Sequence, residues 1–125
     1  MMEYNRTERR RYPRIEKVLP IKIVADGYDF ATSTQNVSCT GAYCHLDKYM
    51  PPFTRIAVRV TLPITDGDTM KTMDVECTGV IVRTEDDRKG GFNSAIFFNG
   101  IKEHQRKKIS QYINQFLPQD PSRSP

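Results

Sequence analysis

The chain has 125 residues, 19 of them Lys or Arg against 15 Asp or Glu, for a net charge of +4 at pH 7 and a pI near 9.0. That length suits one domain with a real core, and the mild basic excess admits an anionic partner without demanding one. Three cysteines without a C-x-x-C pair (Cys39, Cys44 and Cys77) and two distant histidines (His45 and His104) argue against a disulfide framework and against a zinc site.

Residues 1–17 are polar and basic with no hydrophobic period, and read as a flexible arm. Their charged start lacks the apolar centre of a secretory signal, and no later run approaches the roughly 20 apolar residues of a membrane helix. The expected location is therefore the cytoplasm, with the thiols reduced. A first strand is expected at 18–25, where β-branched residues partly alternate, and Asp26-Gly27 supplies a turn. "YDFATSTQNVS", residues 28–38, reads as a second strand, "CTG" breaks it, and "GAYCHL", 41–46, is a third. The paired prolines 51 and 52 mark a loop. In 54–63, Ile56, Val58, Val60 and Leu62 alternate with polar residues, the signature of a half-buried strand, before a turn at 64–68. Residues 70–84 form one long strand or two bent halves, with Gly79 at the bend. After a charged connection, 92–100 is the last strand.

The period then changes. Over 101–117, Ile101, Ile109, Ile113, Phe116 and Leu117 recur at helical spacing, Pro118 stops the helix, and 118–125 reads as a disordered tail. The expected fold is mainly β: a six-stranded antiparallel β-barrel or sandwich over 18–117, closed by the C-terminal α-helix.

No catalytic constellation emerges. Asp86 and Asp87 are adjacent on a charged turn, where side chains diverge, and Cys44 and His45 are strand neighbours that point to opposite faces. No glycine-rich phosphate loop precedes a helix. The protein is expected not to be an enzyme and to need neither cofactor nor metal.

Two stretches are better placed for binding. In "ERRRYPRI", 8–15, Pro13 removes the helix, so the segment is extended. Arg10 and Arg14 then form a same-side pair up to about 13 Å apart, each able to fork onto phosphate or onto the O6/N7 edge of guanine. In "NVSCTG", Asn36 and Ser38 share one strand face, and Gly41 permits a tight turn or a close backbone approach. Read alone, the second stretch is more readily a polar strand end running into a turn, and the first can be a solvated basic tail or a nucleic-acid contact.

Together the two stretches resemble the PilZ domain family, whose mark is R-x-x-x-R before the barrel and [DN]-x-S-x-x-G on it. Here these are "RRYPR", Arg10 to Arg14, and "NVSCTG", Asn36 to Gly41, which begins 22 positions later. "GVIVRTE" and "SAIFFNGIKEHQRKKISQYI" extend the likeness, although Ser94-Ala95 stand where the family often has a glycine. The resemblance implies a six-stranded barrel that binds the bacterial messenger cyclic di-GMP. It implies that Arg10 and Arg14 hold guanine edges and phosphates, that Asn36 and Ser38 bond a guanine, and that Gly41 shapes the turn. Arg9 fills the place before R-x-x-x-R, where an arginine goes with a stacked, intercalated ligand dimer. No attached effector domain is expected, so the resemblance also implies that motility, exopolysaccharide or virulence output passes through an unidentified protein effector or through self-association. The alternatives are a small barrel that binds nucleic acid through its basic arm and a PilZ-like adaptor that binds no ligand.

Overall fold

The computed structural model describes residues 13–25 and 27–117. Six strands and a helix follow in order: β1 (Pro20–Ala25), β2 (Tyr28–Ser38), β3 (Gly41–Leu46), β4 (Arg55–Asp66), β5 (Thr69–Asp86), β6 (Phe92–Gly100) and α1 (Glu103–Asn114). Hydrogen-bonded neighbours run β1-β2-β3-β6-β5-β4, and β1 pairs with β4, so the antiparallel sheet closes on itself as the expected barrel.

Alternation places the core. In β1, Ile21, Ile23 and Ala25 face in, while Lys22 and Val24 face out. Ile21 pairs with Val60 and Ile23 with Val58, which joins the inward faces where the ring closes. Val37, Cys44, Leu46, Leu62, Val75, Ile81, Ile96 and Phe98 fill the interior. Each large aliphatic chain so buried contributes about 1.5–3 kcal/mol. One face of α1 adds Ile109, Tyr112 and Ile113, and the helix packs on β2, β4 and β5.

Boundaries moved where backbone partners decide them. The first strand begins at Pro20 rather than 18, because Leu19 turns to Thr34: its N–H donates to Thr34 Oγ1 at 2.9 Å and its carbonyl accepts from the Thr34 N–H at 2.9 Å. β4 runs past the expected turn to Asp66, straight through Pro63. β1 pairs with β4 only as far as Val60, so the proline's missing N–H falls where one side of the strand has no partner. The bend at Gly79 is present as a register shift against β6 between Thr78 and Val80. The helix is shorter than 101–117, since Lys102 is extended and no side chain caps the first turn.

Thr34 ties the arm to the barrel. It is buried, and its hydroxyl also donates to the Lys17 carbonyl at 2.6 Å. Thr34→Val leaves Leu19 N–H and Lys17 C=O without this partner. It should cost about 1–3 kcal/mol in urea unfolding and speed amide exchange at Leu19.

Candidate ligand site at the arm and the β2–β3 hairpin

The arm returns to the barrel through one bridge. Ile15 N–H donates to the Val37 carbonyl and Val37 N–H to the Ile15 carbonyl, both at 3.0 Å. Ile15 and Val37 are buried. One antiparallel step along this pair sets Arg14 opposite Ser38 and Glu16 opposite Asn36. Arg14, Glu16 and Pro13 are exposed. Lys17, further along, lies with its Nζ 4.1 Å from the centre of the Phe116 ring beyond α1. Arg14 is thus brought against the "NVSCTG" stretch, while Arg9 and Arg10 lie outside the described residues.

Asn36 pairs with Tyr43, and Ser38 with Gly41, on the outer face of the barrel. A bulge between Thr34 and Asn36 adds a residue the alternation did not foresee: Gln35 is also exposed, and its Nε2 donates to Asn93 Oδ1 at 3.1 Å. Ser38 is only 1% exposed. Its Oγ accepts the Thr40 N–H at 3.2 Å and lies 3.1 Å from Thr40 Oγ1. The two-residue turn tucks inward, with Cys39 buried and the Thr40 carbonyl accepting the Phe98 N–H at 2.8 Å. Gly41 serves the close approach rather than a left-handed turn: a Cβ there would strike the Ile96 carbonyl oxygen of β6.

Cross-strand register reveals a shelf that spacing along the chain hides. Asn36, Tyr43, Ala95 and Arg83 form one row across β2, β3, β6 and β5. Tyr43 donates to Glu85 Oε1 at 3.0 Å, and the Arg83 guanidinium stands 5.9 Å from the Tyr43 ring centre. Burial first, then the Glu85 carboxylate, raises the Tyr43 phenol above its ordinary value. On the next row His45 Nδ1 lies 3.2 Å from Asp87 Oδ2. The Lys89 N–H, then His45, holds the Asp87 carboxyl below the usual range. What Asp87 adds to stability is therefore present above about pH 4 and lost as pH falls through that lowered value.

Cys44 and His45 do point to opposite faces: Cys44 is fully buried and His45 half-buried. Burial pushes the Cys44 thiol up to about 12 and the Cys77 thiol up to about 11. The unfolded chain ionises them near pH 8.5, so stability falls between that pH and the folded values, by about 1.4 kcal/mol per pH unit for Cys44 and by less for the part-exposed Cys77. Urea titrations at pH 7.5 and 9.5 should show this loss, and Cys44→Ala should reduce it.

A separate cleft of about 540 Å³ lies between β1, β4 and β5 and the start of α1, lined by Lys22, Arg59, Glu76, Lys102 and His104 among others. Among the described residues, none of the two motifs lines it. Its Arg59 is paired with Glu76 at 3.0 Å and its Lys22 with Asp29 at 3.4 Å.

The PilZ domain model matches residues 8–115, which takes in the arm, all six strands and α1. The chain belongs to the PilZ domain family. PilZ domains are binding and adaptor domains of a family of cyclic di-GMP receptors. Among solved structures, the chain is similar to Bacillus subtilis inhibitor of motility (MotI/DgrA), with a TM-score of 0.75 and 20% identity over 85% of this chain and 50% of that one. It thus spans half the length of that chain. It is also similar to the PilZ domain with c-di-GMP of YcgR from Escherichia coli, with a TM-score of 0.51 and 18% identity over 84% of this chain and 88% of that one. At these identities the likeness is one of fold. None of the curated proteins matches the chain. Among the described residues no helix is long and apolar enough to cross a membrane.

Proposed function

We propose that this PilZ domain is a bacterial, cytoplasmic cyclic di-GMP receptor that passes the messenger level to a protein effector and catalyses nothing itself. The Ile15–Val37 bridge carries the reading, because it sets the end of R-x-x-x-R against Asn36 and Ser38. Arg10 and Arg14 hold phosphates and guanine edges, and Asn36 bonds a guanine edge. Ser38 bonds a guanine when its hydroxyl exchanges its Thr40 partners for the ligand. Gly41 keeps the hairpin close to β6. Arg9 supports a stacked ligand dimer, its guanidinium lying on a purine face.

Binding draws the arm onto the outer face of β2 and β3. Lys17, tied to Thr34 and resting on Phe116, carries that ordering to the helix end. The output, whether motility, exopolysaccharide or virulence, passes through the effector.

Titration calorimetry of the full chain with cyclic di-GMP tests this. Saturable heat with two ligands per chain, falling to one in Arg9→Ala, is expected. No heat at micromolar protein with the barrel intact would refute the receptor reading, and an unchanged stoichiometry in Arg9→Ala would refute the dimer alone.

A further inference from the structure

Phe53 is the non-glycine residue in the left-handed region among those described, at φ 75°. A bulky aromatic is strained there. It is nevertheless 83% exposed, so packing does not explain the conformation. The loop is held rigidly: Phe53 N–H donates to the Ile81 carbonyl at 2.6 Å, Ile81 N–H to the Thr54 carbonyl at 2.9 Å, and Thr54 Oγ1 to the Pro51 carbonyl at 2.6 Å. These bonds hold a strained backbone that presents one phenyl ring to water.

Its neighbours continue the surface. Arg55 pairs with Val80, and just beyond that pair the Phe53 N–H bond to the Ile81 carbonyl sets Phe53 beside the Ile81–Val82 step of β5. Val82 is the extra residue of the β5 bulge between Ile81 and Arg83 and is 48% exposed. Val80 pairs with Phe97, itself 48% exposed. Phe53, Val82, Val80 and Phe97 therefore form one apolar stripe on the outer face. Arginines flank it: Arg55, which has no ion pair among the described residues, and Arg83, whose nearest carboxylate is Glu85 at 3.8 Å. The stripe ends at the ligand site, because Phe97 pairs with Gly41 and Gly41 with Ser38.

We infer that this stripe is the docking surface for the effector, and that it takes an acidic segment with apolar anchors. An aromatic on a loop already fixed by backbone hydrogen bonds costs little backbone entropy on binding, and two arginines beside an apolar stripe favour carboxylates around hydrophobic side chains. The ligand dependence of docking rests on the receptor reading above: phosphates bound at Gly41 would stand beside Phe97 and alter the potential the segment meets.

Selection of short random displayed peptides on the immobilised full chain tests it, with and without cyclic di-GMP. Enrichment of acidic peptides bearing Leu, Phe or Trp is expected. The affinity of a synthesised winner should fall at least about tenfold in Phe53→Ser and in Arg55→Glu, and should change when cyclic di-GMP is added. Phe53→Gly, which relieves the strained φ, should raise the melting temperature while weakening the peptide. Failure to enrich, enrichment of basic peptides, or binding indifferent to both substitutions would overturn the proposal. So would a dimer in sedimentation that Phe53→Ser dissolves, since the stripe would then serve a second copy of the chain. Calorimetry with cyclic di-GMP on Phe53→Ser should match wild type. If wild type gives no heat while peptides still bind as expected, the receptor reading and the ligand dependence fall and the docking surface stands.

Discussion

Arg14→Ala should weaken the proposed cyclic di-GMP binding by roughly 10- to 100-fold in calorimetry, the worth of a charge-assisted forked contact of about 1.5–3 kcal/mol. The barrel should be nearly untouched, because Arg14 is exposed and its successor Ile15 supplies the buried contact and both bridge bonds. Arg14→Lys should recover only part of the loss, since a lysine keeps the charge without the planar fork. Opposite Ser38, the guanidinium stands where it can meet a phosphate while Asn36, two residues back on the same strand, meets a base edge. Equal affinity in Arg14→Ala would remove the motif's second arginine from the site.

Gly41→Ala has the largest expected effect on folding. The added methyl meets a backbone oxygen, Ile96 O, which cannot swing aside as a side chain can. β3 must then move off β6, with loss of ladder bonds, at a cost of about 3 kcal/mol or more. That is a large share of a typical domain's 5–15 kcal/mol. Gly67→Ala is the matched control: its φ is +63° but nothing lies within 4 Å of the new carbon, so only the milder backbone strain of about 1–2 kcal/mol remains. Urea unfolding of the two variants separates them, and equal midpoints would contradict the close approach at Gly41.

Strand alternation made much of this fold legible. Ile21, Ile23, Val58 and Val60 show their inward face by spacing alone, and the helix shows its stripe through Ile109 and Ile113. Ends were harder, because partners far along the chain set them, as Thr34 does by capturing Leu19 and so delaying β1. The site was legible as two motifs, but their meeting was not: only the Ile15–Val37 bridge fixes which hairpin residue Arg14 faces. Gln35 was hidden by a bulge that breaks alternation, and Tyr43 and Arg83 by the fact that a row across four strands leaves no mark in local spacing. Phe53 carried a weak signal, since a phenylalanine after two prolines reads as loop. Its strained φ is a tertiary consequence of the bonds to Ile81.

The most direct test of where the ligand sits is a titration of the isotope-labelled full chain with cyclic di-GMP, followed by backbone amide shifts. The amides of Arg14, Ile15 and residues 36–41 should move together and saturate together, while those of Lys22, Arg59 and Lys102 around the other cleft stay in place. Saturable shifts centred on Lys22, Arg59 and Lys102, with the arm and hairpin amides unmoved, would contradict the account.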